Sequence, residues 1–487
     1  MDCSRFGLAR HLLIASMLLL SASAGALDPQ KQVTQYGLRS WTTGDGMPQD
    51  TVRALAQTPD GYLWMGTEAG LVRFDGMTLQ VFDRSTHPEL FANAHVYALA
   101  VDHDGTLWIG TYGRGALVYR DGIFRRSPIE MLHDVRITAF ETTASGTLWI
   151  GTYGHGLIRW RDGRAIRFDL DDGLPHPVVF DLAASADGSL WVATYGGGLA
   201  RWRDGLVDSW TVDDGLPVDD LWAVHERADG DLWIATNRGL VRWRDGEIEH
   251  FTVADGLPHE RAISILEDRD GQLWVGTYGG GLARWSNGRF DTLNSDHGLG
   301  SDAVWSLFED REGGVWVGTL GGGVHQLVEG AFVTFSLEEG LSSRLPSAIV
   351  EAPDGGLWIA TRDRGVDRLI EGRVERLDAT DLGSNNTWTV LVDSRDELWV
   401  GTSGAGLDHR DASGRWHHYT TRDGLPDNVV FDLAEAPEEG LWVSTNDGLG
   451  YFDGASFRRY STDDGLASNQ IRRLLVDRSG ALWVGTT

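Results

Sequence analysis

One tetrapeptide constrains this chain more than any other feature. Trp-[Val/Ile/Met]-[Gly/Ala/Ser]-Thr starts at Trp64, Trp108, Trp149, Trp191, Trp233, Trp274, Trp316, Trp358, Trp399, Trp442 and Trp483, at spacings of 41 to 44 residues. Eleven copies run without a linker from about Leu38 to Thr487. A chain written this way is one supersecondary unit stacked on itself, so the unit decides the architecture.

The copy around Trp191 reads as four short strands. Val178 to Ala184 is an apolar run, and Asp187-Gly188 predicts a type I′ hairpin, since Asp-Gly accepts positive φ. Leu190 to Thr194 is the second strand, Gly196-Gly197-Gly198 turns the chain, and Leu199 to Arg203 is the third. Asp204-Gly205 turns again into a fourth strand, Val207 to Val212, and Asp214-Gly215-Leu216-Pro217 leads onward. No stretch is long enough for a helix of period 3.6. Four strands per ~42 residues define an all-β fold, a β-propeller of four-stranded antiparallel blades.

Eleven blades exceed the four to eight that usually close one ring. The expected division is a seven-bladed ring over 27–336 and the first four blades of an incomplete second ring over 337–487, with eight plus three left open. The last copy stops at Thr487 in its second strand, which reads as a truncated chain. Within each blade, the tetrad Trp is expected to fill the wedge between neighbouring sheets. The small residue two positions later is expected where two backbones approach closely. Trp160, Trp202, Trp243 and Trp285, each after an Arg in the third strand, read as a second packing layer.

Residues 1–26 read as a signal peptide. Arg5, Arg10 and His11 precede the apolar run Leu12–Leu20, and Ala24-Gly25-Ala26 offers a cleavage site, Ala22-Ser23-Ala24 being the alternative. The apolar run is short of the ~20 residues that span a membrane. The single cysteine, Cys3, leaves with the leader, which suits an oxidising compartment and a periplasmic chain. A formal charge of −29 opposes phosphate backbones, so nucleic acid is set aside as a partner.

An antiparallel meander sends its loops to opposite faces. The one-to-two and three-to-four turns are tight and built on Asp-Gly. Pairs such as Asp102/Asp104 and Asp268/Asp270 are read as Asx turns in preference to cation sites. On the other face the frame repeats while its occupants vary. Tyr112, Tyr153, Tyr195, Asn237, Tyr278 and Arg362 follow the Thr, and His176, Asp219 and His259 follow the Asp-Gly-Leu-Pro element. Trp222 and Trp305 stand eleven residues before a repeat Trp. Rigid aromatics mixed with hydrogen-bonding groups at the mouth of a ring suit a carbohydrate or another polar small molecule.

No catalytic signature stands out. The histidines lack H-E-x-x-H spacing, the Gly clusters open no helix, and neither a G-x-S-x-G elbow nor a Walker loop is present. No catalytic residue, metal ligand or cofactor is expected.

The full frame stands at Asp255-Gly256-Leu257-Pro258, Asp270-Gly271-Gln272-Leu273-Trp274-Val275-Gly276-Thr277 and Gly280-Gly281-Leu282. It resembles the two-component regulator propeller repeat. Copies two, three and nine lack the Asp-Gly-Leu element. The resemblance implies a periplasmic sensor region of paired seven-bladed propellers. In such proteins a β-sandwich, a transmembrane helix and a cytoplasmic histidine kinase (often hybrid) or diguanylate cyclase follow, none of which stands in this chain. It also implies a small-molecule or oligosaccharide ligand and, by analogy, a homodimer of the full receptor anchored in the inner membrane. More distantly, the repeat is similar to streptogramin lyase propellers, which makes an enzyme the rival reading. A protein-binding scaffold at the cell surface is the third.

Overall fold

The computed structural model describes residues 27–487 apart from 92–94, 204, 245, 331–334, 338, 371, 378–379 and 438–439. The expected leader and the turn residues Asp204 and Asp245 lie outside the described residues. The chain forms two compact units, Met1–Phe332 and Val333–Thr487. It is all-β, and its helical elements among the described residues are single 3₁₀ turns.

The first unit holds seven four-stranded antiparallel sheets. Six are built from consecutive strands, as in Val179–Ala184, Leu190–Thr194, Leu199–Arg203 and Leu206–Trp210. The seventh combines Val304–Glu309, Val315–Thr319 and Val324–Val328 with the N-terminal strand Gly37–Trp41, paired from Gly37 opposite Val328 to Trp41 opposite Val324. The first strands pack side by side around the unit, and Val52–Gln57 lies beside Val304–Glu309, so the ring closes. Closure by a distant strand covers an edge that would otherwise expose unpaired backbone groups. Ser40 Oγ meets His325 Nδ1 at 2.7 Å across this seam. His325 is 1% exposed and accepts from Gly300 N at Nε2, 3.1 Å away, and burial lowers its pKa.

Each repeated residue has a physical task. The Thr of every copy from Thr67 to Thr445 donates from Oγ1 to a glycine carbonyl beyond the two-to-three loop, at 2.6 to 2.9 Å. The tetrad Trp packs against its own fourth strand and the next blade's third. Trp149 meets Phe168 and Trp202, and Trp191 meets Trp210 and Trp243. The third-strand tryptophans are therefore the second layer of the interblade core. At Gly66 a Cβ would stand 2.6 Å from Val96 Cγ1 in the following blade, the close approach expected of the small tetrad residue.

The aspartate at the start of the one-to-two loop is an Asx acceptor. Asp102 Oδ1 takes N–H groups from Asp104 and Thr106 at 3.0 and 2.9 Å, and Oδ2 takes the Trp108 indole at 2.8 Å. Asp268 does the same for Asp270, Gln272 and Trp274. These turns are not type I′. At Asp187-Gly188 only the glycine has positive φ, whereas Asp121 and Gly122 both do in a three-to-four turn. A loop whose first Asp holds two later N–H groups needs helical φ before the glycine, whereas the two-residue three-to-four turn must follow strand twist.

The fourth strand of the Trp191 copy ends at Trp210, two residues before the expected Val212. Thr211 caps a 3₁₀ turn there, accepting from Asp213 N, while Asp214 accepts from the Thr211 backbone N–H at 2.9 Å. Gly215 completes the cap at φ 104°, and Leu216 is buried. The Asp-Gly-Leu element is thus a capping box followed by a core residue.

Among the described residues, the second unit holds three four-stranded sheets and a two-stranded one, Ile471–Val476 with Leu482–Thr486.

Candidate functional site

A cavity of about 460 Å³ lies within the first unit, lined by the first strands of its seven sheets. Consecutive positions line it together. Residues eleven before each repeat Trp (Arg53, Tyr97, Thr138, Phe180, Trp222, Ile263, Trp305) contribute, and so do the next ones (Ala54, Ala98, Ala139, Asp181, Ala223, Ser264, Ser306). Regular pleating would send neighbours to opposite faces. Each first strand carries a register shift at this point, as between Val179 and Asp181, and the bulge re-aims both side chains.

The two-to-three loops rim the cavity, because in the blades from Thr111 to Thr319 the residue after the Thr bonds to the start of its own first strand. Tyr153 N donates to Arg136 O and Tyr195 N to Val178 O, both at 3.0 Å. Tyr112, Tyr153 and Tyr278 are partly exposed there. Inside, Phe180 stacks on Trp222 at 4.7 Å and 19° between ring planes. Tyr195 stands edge-on to both, and Trp305 edge-on to Trp222. Asn237 Oδ1 accepts the Trp222 indole N–H at 2.8 Å, and its amide donates to Asp220 at 3.1 Å.

Two guanidinium groups line the same cavity. Arg53 lies over Trp305 and Tyr97, 4.3 and 4.6 Å from the ring centroids, and pairs with Glu68 at 2.6 Å. Arg136 lies over Tyr112 at 3.3 Å and Tyr153 at 4.2 Å. Asp181 sits deeper. Its Oδ2 accepts from Val224 N at 3.0 Å, and burial pushes its pKa up to about 7. Glu141, whose Oε1 accepts from Ala184 N at 3.1 Å, is likewise raised to about 7, chiefly by burial and further by Asp181. Among the described residues no group of three His, Cys, Asp or Glu side chains stands where it could hold a metal.

Of the candidate residues, Tyr153, Trp222 and Trp305 line this cavity, and Tyr112, Tyr195, Asn237 and Tyr278 touch residues that line it. The other four make different contacts. His176 Nδ1 accepts from Val178 N at 3.2 Å and His259 Nδ1 from Arg261 N at 3.0 Å, each holding an interblade loop in shape. Asp219 accepts from Val212 N at 2.9 Å, and its carbonyl takes Gly196 and Gly198 N–H groups at 3.0 Å. Arg362 belongs to the second unit and lies over Trp388 at 4.7 Å. The capping chemistry of these loops explains their polar residues without a ligand. Arg136 and Asp181 were missed. A variable column thirteen before the repeat Trp, with Thr51, His95, Arg136, Val178, Asp220, Arg261 and Ala303, carries the signal for the first.

The two component regulator propeller model matches residues 46–69, 90–113, 256–279, 298–321 and 465–487, so the chain carries two-component regulator propeller repeats. Histidine kinase P4 of Formosa agariphila is 34% identical over 73 residues, 15% of this chain and 5% of that protein. Among solved structures, the chain is similar to the extracellular domain assigned to the hybrid two component system BT3049 of B. thetaiotaomicron. The TM-score is 0.65 at 21% identity over 93% of this chain and 70% of that one. The extracellular domain assigned to the one component system BT4673 of the same organism gives 0.51 at 22% identity, covering 93% and 65%. These likenesses show the fold.

Proposed function

We propose that this chain is the ligand-recognising, non-catalytic input region of a membrane-anchored signalling receptor, exported to the periplasm. The output module, a histidine kinase or diguanylate cyclase, lies outside the chain. The propeller repeats and the fold shared with extracellular domains of two-component systems support the class. The observation that carries the reading is the aromatic cluster at the cavity, where Tyr195 stands edge-on to the stacked Phe180–Trp222 pair and Trp305 edge-on to Trp222. Stacked rings beside hydrogen-bonding groups recognise small ring-bearing molecules, oligosaccharides among them, without reacting with them.

A thermal-shift screen of residues 27–487 against glycans and small metabolites tests this. A hit is expected to raise the melting temperature of the wild type and not of Trp222→Ala, with the compound recovered unchanged. Conversion of the compound, or a response indifferent to Trp222, contradicts the reading. Export is checked separately with a fusion to a reporter active only outside the cytoplasm.

A further inference from the structure

We infer that the cavity of the first unit takes an anionic ligand, a carboxylate borne on a ring, whose charge is held by Arg136 and whose ring lies on the Phe180–Trp222 stack. The inference rests on the sensor reading above and adds the chemistry of what is sensed.

Arg136 lines the cavity. Its guanidinium lies between Tyr112 and Tyr153, tyrosines of neighbouring blades, at 3.3 and 4.2 Å from their centroids. Cation–π attraction to the two rings holds the group in place without using its N–H hydrogen bonds. The N–H edge of a guanidinium matches a carboxylate in two parallel hydrogen bonds. Among the described residues nothing accepts from that edge. The contrast with Arg53 is informative, because there the same stacking on two rings comes with a carboxylate partner, Glu68, donated by the adjacent loop. The residue that corresponds to Glu68 in the blade of Arg136 is Tyr153, so the blade supplies no counter-ion. In a chain of net charge −29, a cavity-lining guanidinium that none of the described carboxylates, Asp181 of the same cavity included, pairs with is a place for an external one.

The neighbouring groups fix the rest of the ligand. Tyr153 leads to Phe180, 6.3 Å between ring centroids, and Phe180 lies flat against Trp222. Arg136, Phe180 and Trp222 line one cavity, so a ring seated on these aromatics shares it with the guanidinium. At the rim, Arg261 lies over Tyr278 at 4.7 Å and also lacks a carboxylate partner among the described residues. It adds positive potential on the same face. A sugar acid and an aromatic acid share this chemistry, and the experiment separates them.

The test uses residues 27–487 and two matched pairs of probes: digalacturonic acid against galactobiose, and 4-hydroxybenzoate against 4-hydroxybenzyl alcohol. Saturation-transfer NMR and calorimetry measure binding. In one pair the acid is expected to bind about tenfold more tightly than its neutral partner, the usual worth of one charge-assisted contact. Arg136→Gln is expected to erase that preference, and Arg136→Lys to keep part of it, with both variants melting like the wild type. The pair that responds identifies the source of the ring. Equal affinity within both pairs, no binding by either acid, or a preference that survives Arg136→Gln overturns the inference. A neutral probe whose binding needs Trp222 and ignores Arg136 overturns it while leaving the sensor reading intact.

Discussion

The indole N–H of Trp316 donates to Asp310 Oδ2 at 2.6 Å, and Asp310 Oδ1 accepts from Gly314 N at 2.8 Å. Gln326 Nε2 adds the carboxylate's third bond, also to Oδ2, at 2.9 Å. One carboxylate thus ties a hairpin turn, the repeat Trp and the third strand together, and it is 5% exposed. Asp310→Ala is expected to destabilise the first unit by about 2–3 kcal/mol in urea unfolding, because it leaves buried donors without partners. The counterpart Asp477→Ala in the second unit is expected to change stability little, since Trp483 is 63% exposed. Equal effects of the two would contradict this account of the motif.

Gly66 faces Val96 in the next blade. A methyl added there would stand 2.6 Å from Val96 Cγ1 and 3.1 Å from its carbonyl oxygen. Gly66→Ala is expected to cost about 2 kcal/mol by overpacking, and Val96→Ala in the same chain to recover part of it. Additive losses in this double-mutant cycle would show that the two positions do not meet.

Asp181 makes the first unit pH-sensitive. Its pKa is raised by burial to about 7, and Glu141 beside it behaves alike, while Arg53 and Arg136 share the cavity. With the native pKa above the unfolded one, the native state binds the extra proton. Stability therefore falls as pH rises from about 4 to about 7 and stays low above that. Asp181→Asn keeps an acceptor for Val224 N and removes the charge. It is expected to stabilise the protein at pH 8 by on the order of 2 kcal/mol and to have little effect at pH 4. Melting curves across that range check the sign.

The N-terminal strand closes the ring. Deleting residues 27–41 removes the partner of Val324–Val328 together with the Arg284 Nη1 to Tyr36 hydroxyl bond at 2.7 Å. The truncated chain is expected to lose cooperative unfolding of the first unit and to aggregate through the bared edge. Calorimetry showing an unchanged transition would contradict closure by this strand.

The repeat was legible because its chemistry is local. Trp191, Ala193 and Thr194 serve partners dictated by strand geometry, and every copy restates them. The closing strand was not legible, because Gly37–Trp41 carries no tetrad and its partner lies nearly 300 residues away. The mouth was half legible. Trp222 and Trp305 stand out as aromatics in a column where a variable occupant is the signal. Asp181 follows a bulge, which the alternation rule assigns to the wrong face. His176, His259 and Asp219 looked functional because they vary in a repeated frame, yet their side chains are engaged by their own loops. Variation marks freedom from the core, and only coordinates tell which free residues converge.

Amide hydrogen exchange of residues 27–487, with and without a saturating hit from the ligand screen, tests the central claim most directly. Recognition at the cavity predicts slower exchange at the starts of the first strands and the two-to-three loops of the first unit, including Arg136–Thr138, Val178–Asp181 and Asp220–Ala223. Protection confined to the one-to-two and three-to-four hairpins, or to the second unit, would contradict it.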